Sequence, residues 1–340
     1  MNAVGFDLGS YSLKLAEVSN EGNNHKVIRV KQFLHPFGVM LPSDTDQLKQ
    51  LAGMIKKIFV EQKFSTQNIR AALPESVVST KIVSTPPLSD AELASAIDWL
   101  AEQHIAIPIE DLKIEYEVLY RPDKMHKNDN MRVMLIGVPK SVINAYMTLF
   151  EYMEIDPIAL ETQVLSILRS IYSESMPTTL LMHIGASSTD FFIVHQGEVV
   201  FVYSFANGGR LLTRSIERGL NIETKQAEEY KMQYGVDPQF LEGKLVTILQ
   251  PVLQLFKTEM QKAMQFFTNQ YGTQTVKRVL VSGGSAHLPG LIPHLAKQLN
   301  LECTIAHPFS VFGSSATNVQ LPNEKEAAFT VATGLAIRGL

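Results

Sequence analysis

Apolar and polar positions follow a hairpin pattern at the start of the chain. An apolar run over residues 4–8 leads into the small, polar turn Gly9–Ser12, and a second run with alternating apolar residues continues to Val18. This pattern is typical of a buried β-hairpin. Residues 180–194 repeat the same plan around Gly185. Two such units about half a chain apart predict a duplicated domain.

The remaining pattern alternates strands and helices, as in an α/β protein. Further strands are predicted over 26–34, 68–73, 77–83, 113–120, 131–138, 198–205 and 279–281. Helices are predicted over 47–62, 90–105, 139–153, from 210 onward, 227–233, 241–267, 288–299 and 325–338, and one more begins near Glu161. The adjacent prolines Pro86 and Pro87 stop both helix and strand, and Ser89 is a suitable cap for the next helix. We place a subdomain boundary there.

The first hairpin turn has the chemistry of a phosphate site. Gly9 permits a positive φ and a close approach of a ligand, so that successive amide groups can point at one anion. Ser10 and Ser12 add hydroxyl donors, and Lys14 adds a positive charge. Asp7 suits a hydrated Mg²⁺ ion better than a phosphate. The alternative is a hairpin in which glycine and serine serve only to turn the chain.

Two double glycines provide further candidates for ligand contacts. Gly283–Gly284 follows a short apolar strand, and a backbone without side chains can lie flat there against a purine or a ribose. Gly208–Gly209 precedes a helix whose N-terminus is suited to binding an anion. Glu228 and Lys231 are one helical turn apart, and on sequence alone they either pair on an exposed face or belong to the site.

Composition allows a sizeable core and shows no marked charge imbalance. Apolar residues make up 45% of the chain, and 30 basic against 34 acidic residues give a net charge of −4, which does not indicate a nucleic-acid surface. No segment is long and apolar enough to span a bilayer, and the first residues lack a signal-peptide pattern. The single cysteine, Cys303, allows no internal disulfide and fits a reducing compartment. We expect a cytosolic globular protein of one or two domains.

The order of these motifs along the chain carries a family resemblance. Two hairpin turns followed by a strand with a double glycine resemble the actin-like ATPase superfamily, which includes sugar kinases, Hsp70-type chaperones and the division protein FtsA. Within it, the chain is most similar to the family of the type IV pilus assembly protein PilM, over nearly all of its 340 residues. The stretches that carry this similarity are Val4–Ser10, Trp99–Pro108, Asn207–Leu212, Gly283–Gly284 and Ala332–Ala336.

The resemblance implies an α/β fold of duplicated actin-like, ribonuclease H-like domains with an FtsA-type inserted α+β subdomain. The expected division is 1–84 and 154–177 for the first domain, 85–153 for the insertion, 178–320 for the second domain with a helical lobe at about 218–272, and 321–340 for a C-terminal helix returning to the first domain. On sequence alone, the insertion is either part of a groove for a partner or a plain extra lobe.

The resemblance also implies a nucleotide, ATP or ADP with Mg²⁺, held between the two hairpin turns. The expected nucleotide-binding residues are Asp7, Gly9, Ser10, Tyr11, Ser12, Lys14, Gly185, Ala186, Ser187, Ser188, Gly208, Gly209, Glu228, Lys231, Gly283, Gly284 and Ser285. Asp7 is the expected metal ligand. In the family, a glutamate and a lysine at the positions of Glu228 and Lys231 approach the ribose.

His183 departs from the superfamily pattern. Members that hydrolyse ATP well usually carry an aspartate there, which helps to hold Mg²⁺ and to activate water, and a neutral imidazole does neither well. Asp190 lies on the wrong side of the turn to replace it, and the alternative for His183 is a histidine packed at a strand end. Glu161 falls near a position where the superfamily often has a polar residue that orients water, or it caps its helix. We expect weak or absent ATPase activity and assign no catalytic residue.

As a member of this family, the chain would be a cytoplasmic nucleotide-binding scaffold of type IV pilus assembly. Its partner would be the N-terminal cytoplasmic peptide of a PilN-like single-span inner-membrane protein, lying between the first domain and the insertion. Other pilus motor or platform components are further expected partners, with no nucleic acid and no membrane insertion of its own. The alternatives are an FtsA-like polymerising protein and a small-molecule kinase of the same fold, which would need a carboxylate base in the cleft.

Overall fold

The structure of the protein is a computed structural model that describes residues 2–21, 24–123, 129–173, 175–316 and 325–339. The strands are β1 (Asn2–Leu8), β2 (Ser12–Glu21), β3 (Asn24–Leu34), β4 (Ile69–Leu73), β5 (Ser79–Thr85), β6 (Leu112–Tyr120), β7 (Met131–Pro139), β8 (Ala159–Thr162), β9 (Thr179–Ile184), β10 (Thr189–His195), β11 (Glu198–Phe205), β12 (Arg278–Ser282) and β13 (Glu302–Ile305). The helices are α1 (Thr45–Glu61), α2 (Asp90–His104), α3 (Lys140–Met153), α4 (Gln163–Ile171), α5 (Gly209–Leu220), α6 (Thr224–Tyr234), α7 (Lys244–Tyr271), α8 (Leu291–Leu299) and α9 (Thr330–Ala336). The expected boundary between residues 320 and 321 lies outside the described residues.

Two five-stranded sheets share one topology. Their strand orders are β3-β2-β1-β4-β8 and β11-β10-β9-β12-β13. In each sheet the first three strands in sequence form an antiparallel meander, and the remaining two run parallel to the strand that opens the hairpin. The predicted duplication is confirmed, and the β1–β2 and β9–β10 hairpins are its equivalent units.

A smaller, three-stranded antiparallel sheet with the order β5-β7-β6 is inserted into the first lobe. Helix α2 covers it and buries Leu93 and Ile97 against Val83 and Met131. The helix begins at a complete capping box, because the Ser89 hydroxyl accepts from the amide of Glu92, whose carboxylate in turn accepts from the Ser89 amide. Helix α3 then packs this insertion against α1 of the first lobe.

The two lobes share a core, because β9 and β10 are covered on both faces. Phe192 and Leu181 belong to the cluster that contains Phe6 of the first lobe. Their chain neighbours, such as Phe191, pack on the opposite face against helix α7, in a second cluster. Among the described residues, no helix is both long and apolar enough to cross a membrane.

The C-terminal helix lies deep inside the first lobe. The predicted helix over 325–338 divides into a 3₁₀ segment, Glu326–Phe329, and helix α9. A Cβ added at Gly5 would lie 1.8 Å from the Ala332 carbonyl oxygen, and one added at Gly334 would lie 1.7 Å from the Ser166 carbonyl oxygen. The backbones of β1, α9 and α4 are therefore in direct contact, which only glycine permits.

Candidate functional site

The turns of the two equivalent hairpins meet. Gly9 and Gly185 line one cavity of about 530 Å³, a volume ordinary for a small-molecule site. The hydroxyl oxygens of Ser10 and Ser187 are 2.7 Å apart, so the turns touch at their tips. The sequence predicted two such turns, and the structure brings them to a single space between the lobes.

Glycine is favoured in both turns by a close approach of the backbone rather than by φ. The amide of Gly9 donates to the Ser12 carbonyl at 3.2 Å, and that of Gly185 donates to the Ser188 carbonyl at 2.9 Å. A Cβ at Gly9 would lie 2.9 Å from the Ser12 oxygen, and one at Gly185 would lie 3.1 Å from the Ser188 oxygen. Neither glycine adopts the left-handed region, so the turn does not use the positive φ that Gly9 permits. A side chain at Gly9 would force the turn to shift, and one at Gly185 would press against the Ser188 carbonyl.

Helix α5 begins against the second turn. The amide of Gly209 donates to the Gly185 carbonyl at 2.8 Å, and the amide of Arg210 donates to the Ala186 carbonyl at 3.0 Å. A Cβ at Gly208 would lie only 2.4 Å from the Gly185 oxygen. Gly209 and Ala186 line the cavity, whereas Gly208, Ser187 and Ser188 are absent from its lining. The double glycine thus joins the helix N-terminus to the turn.

The second double glycine forms another wall, at the end of β12. Gly283 has a φ of +89°, and a Cβ there would lie 2.4 Å from the Ile184 carbonyl oxygen. A Cβ at Gly284 would meet no atom within 4 Å, although the residue lines the cavity together with Ser285. The fold therefore requires the first of these glycines, and the second leaves space open on the cavity side.

Charged side chains lining the cavity are mostly cationic. The cations are Lys14, Arg210, Lys231 and Lys325, and the carboxylates are Asp7 and Glu228. Lys14 pairs with Asp7 at 3.1 Å, and Lys231 pairs with Glu228 at 2.7 Å. Among the residues that the structure describes, four cations against two carboxylates leave an excess of two positive charges at the cavity, which favours an anionic ligand.

The Glu228–Lys231 pair belongs to the cavity and not to an exposed face. Lys231 is 4% exposed, and its ammonium group also donates to Thr213 at 3.0 Å. Burial lowers the pKa of Lys231, and the neighbouring Glu228 carboxylate opposes that shift. The exposed-face alternative from the sequence is therefore wrong.

His183 lines the cavity at the end of β9. Its Nδ1 atom is 2.8 Å from the Ser282 hydroxyl oxygen, and the side chain is buried. Burial lowers the pKa of His183 to about 4, although the nearby Asp7 carboxylate opposes the shift. The imidazole is therefore neutral at neutral pH. Asp190 lies directly opposite His183 in the hairpin register, but it does not line the cavity.

Asp190 is a second buried titratable group of this hairpin. It accepts a hydrogen bond from the Ser204 hydroxyl at 2.5 Å, and its Oδ2 atom has no hydrogen-bond partner in the described part of the chain. Burial raises the pKa of Asp190 to about 7, with the Glu75 carboxylate adding to the shift. In the first hairpin, Asp7 and Lys14 hold the equivalent positions.

Several cavity residues were not anticipated as ligand contacts. They are Gln32, Leu34, Gln163, His183, Ile184, Arg210, Met232, Lys325 and Ala328. Glu161 was expected at the start of a helix, but it lies in β8, where its carboxylate is buried and paired with Arg169 at 2.7 Å. The capping role considered for Glu161 is therefore wrong, whereas its water-orienting role stays a prediction. The first residue of the helix is Gln163, which lines the cavity.

Comparison with known proteins identifies the family and agrees with this fold. The family model described as type IV pilus assembly protein PilM matches residues 5–340. The chain belongs to the PilM family. The resemblance found in the sequence is thereby confirmed, and type IV pilus assembly is the process in which PilM proteins take part.

Solved structures place the PilM fold among actin-like proteins. A PilM–PilN type IV pilus biogenesis complex contains a chain with a TM-score of 0.84 and 24% sequence identity, covering 99% of this chain and 98% of that chain. The ethanolamine utilization protein EutJ of Carboxydothermus hydrogenoformans has a TM-score of 0.59 at 11% identity, covering 100% and 90%. MreB5 of Spiroplasma citri bound to ADP has a TM-score of 0.52 at 12% identity, covering 98% and 94%. These similarities confirm the expected actin-like fold.

Proposed function

We propose that this PilM-family protein is a nucleotide-binding scaffold of the type IV pilus assembly complex. The observation that carries the proposal is the meeting of the Gly9 and Gly185 turns at one cavity with an excess of positive charge. Backbone amides from both turns and the ammonium group of Lys14 would bind a polyphosphate. MreB5, which shares the fold, was solved with ADP bound, and this supports the nucleotide assignment.

The rest of the cavity suits the nucleoside. Gly283 and Gly284 offer bare backbone, against which a purine or ribose would lie. Glu228 and Lys231 are held beside it by Thr213, in a position to contact ribose hydroxyl groups. The N-terminus of α5 adds a favourable dipole next to the second turn. ATP and ADP both fit this description.

Asp7 would hold Mg²⁺ through its carboxylate. Among the described residues, no cluster of three or more histidine, cysteine, aspartate or glutamate side chains is present that could hold a metal by itself. An ion that keeps several waters and shares phosphate oxygens needs only one or two carboxylates, so the single Asp7 is sufficient. Mg²⁺ bound there would offset the charge of the phosphates.

We expect this nucleotide to be hydrolysed slowly or not at all. The neutral His183 cannot act as a carboxylate base, and of the two carboxylates that line the described part of the cavity, Glu228 is paired with Lys231 and Asp7 would be occupied by Mg²⁺. The nucleotide would then favour one arrangement of the two lobes, as in hinge-type switches. Binding, and not turnover, is the proposed function of the cavity.

The proposed partner is the N-terminal cytoplasmic peptide of a PilN-like single-span membrane protein. The similarity to a chain of a PilM–PilN complex over 99% of this chain supports it. The peptide would lie between the first domain and the inserted subdomain, and the domain division given above for the sequence is part of the proposal. The protein would thus be held at the inner membrane, where other pilus components could join it.

Isothermal titration tests the nucleotide proposal. Wild-type protein should bind ATP and ADP in the presence of Mg²⁺, and Gly9→Val should abolish binding because its side chain would displace the turn. Gly53→Ala on α1, where a Cβ meets no atom within 4 Å, is the control for a glycine substitution. Unchanged affinity in a folded Gly9→Val variant would contradict the proposal.

A fluorescent peptide tests the partner proposal. It would carry the cytoplasmic start of a PilN-like protein from the same genome, and a scrambled peptide would serve as the control. Saturable binding that changes when ATP is added is the expected result. Absence of binding both with and without nucleotide would rule out this partner and leave the nucleotide site unaffected.

A further inference from the structure

The Arg210 side chain crosses from the second lobe to the first. Its Nη2 atom donates to the Ser10 carbonyl oxygen at 2.7 Å, between residues 200 positions apart in the chain. Its Nη1 atom is 3.4 Å from the Ser187 hydroxyl oxygen. The guanidinium therefore lies where the tips of the two turns touch, and it lines the cavity between them.

The backbone of Arg210 is fixed to the second turn. Its amide donates to the Ala186 carbonyl at 3.0 Å, and it is the second residue of α5, directly after the double glycine. The side chain thus starts from a rigid position in one lobe and ends on the backbone of the other. Any change in the spacing of the turns must change this contact.

Arg210 forms no ion pair with an acidic side chain in the described part of the chain, whereas the cavity carboxylates Asp7 and Glu228 are each paired with a lysine. Burial lowers the pKa of the Arg210 guanidinium, and Arg214 lowers it further, against the opposing effect of Glu228. A partly buried cation with neutral partners gains more from an anion than one already paired. Its planar fork matches two oxygens of one phosphate.

We propose that Arg210 is the residue by which this cavity distinguishes a nucleoside triphosphate from a diphosphate. The inference rests on the proposed nucleotide site. With the nucleoside at Gly283–Gly284, the tip of the first turn at Ser10 and the neighbouring Arg210 guanidinium hold the far end of the polyphosphate, where only a triphosphate carries its third phosphate. Arg210 binds that phosphate in exchange for the Ser10 carbonyl and so links the state of the nucleotide to the spacing of the lobes.

The test compares ATP and ADP affinities, measured with Mg²⁺ by isothermal titration, for wild type, Arg210→Gln and Arg218→Gln. Glutamine at position 210 keeps a donor for the Ser10 carbonyl but loses the charge. Arg218 is exposed on the same helix and is the matched control. We expect Arg210→Gln to weaken ATP binding at least tenfold and to change ADP binding less than threefold. The unfolding temperature of the variant should equal that of the wild type.

The outcomes separate this inference from the proposed function. Wild-type protein that binds neither nucleotide would overturn both. Wild-type binding combined with an equal loss for ATP and ADP in Arg210→Gln, or with no loss, would overturn only the role of Arg210. The same selective loss in Arg218→Gln would also overturn it, because the effect would then come from general charge on α5.

Discussion

Ser10 and Ser187 are 177 positions apart in the chain, and their hydroxyl oxygens are 2.7 Å apart. Each lies in the turn of one of two equivalent hairpins, whose five-stranded sheets have the same topology. The contact therefore reports directly on the spacing of the two lobes. It also provides the first test of the structure.

Cysteines at positions 10 and 187 should form a disulfide. A hydroxyl separation of 2.7 Å brings the two Cβ atoms near the distance that a disulfide requires. We expect mild oxidation of Ser10→Cys/Ser187→Cys to remove two free thiols, measured by thiol titration in the native state. The single variants, which retain the buried Cys303, are the controls. Two thiols that stay free in the folded double variant would contradict the contact.

Alanine at Gly5 or Gly334 should destabilise the first lobe. The added Cβ would lie 1.8 Å from the Ala332 oxygen or 1.7 Å from the Ser166 oxygen, and backbone atoms cannot give way as a flexible side chain can. We expect each variant to lose at least about 2 kcal/mol of unfolding free energy in urea denaturation. Gly53→Ala, in open space on α1, should instead gain up to about 1 kcal/mol. Equal stability of all three variants would refute this packing.

Asp190→Asn should stabilise the protein in a pH-dependent way. The pKa of Asp190 is raised from 3.8 to about 7 in the folded state, so between these values the unfolded chain loses a proton that the native state keeps. The contribution of this group to stability therefore falls as pH rises from 3.8 to 7 and is constant above it. The advantage of Asn should grow over that window to at most about 4 kcal/mol.

Urea denaturation at pH 5 and pH 8 measures this difference for wild type and Asp190→Asn. The exposed Asp98→Asn is the control for loss of a carboxylate on the surface. An advantage of Asn that is the same at both pH values would show that Asp190 titrates normally in the folded protein. The side-chain carbonyl of the introduced asparagine can accept the same hydrogen bond from the Ser204 hydroxyl, so the substitution does not remove this contact.

His183→Asp should increase hydrolysis. The wild-type imidazole is neutral and hydrogen-bonded to Ser282. A carboxylate at this position would face the cavity near Asp7, where it would help to bind Mg²⁺ and to activate water. We expect phosphate release from ATP to be slow or absent in the wild type and faster in the variant, measured over several turnovers. Rapid release by the wild type would show that hydrolysis does not need this carboxylate.

The sequence was a good guide to local structure. Alternating apolar residues around Gly9 and Gly185 predicted both hairpins, and Ser89 was correctly placed at the start of α2. These features depend on contacts between residues close in the chain, and short-range patterns report on them. The pairing of one turn with the other was implied by the duplication, but their distance required the tertiary structure.

The side chains that complete the cavity were harder to predict. Lys325 reaches it because the C-terminal segment returns through the first lobe, and Arg210 reaches it because α5 begins against the second turn. Neither position follows from a motif. Glu161 was expected at the start of helix α4, but the first helical residue is Gln163. Strand β8 continues to Thr162, so the helix begins two residues later than expected. The sequence signal that could have identified Gln163 as a cavity residue is its polar side chain at the junction between a strand and a helix.

A crystal structure of the protein grown with Mg²⁺ and a non-hydrolysable ATP analogue would show directly whether the two turns share one polyphosphate. We expect phosphates in contact with amides of both the Gly9 turn and the Gly185 turn, with the nucleoside against Gly284. A nucleotide bound elsewhere, or held by only one of the two turns, would contradict this expectation.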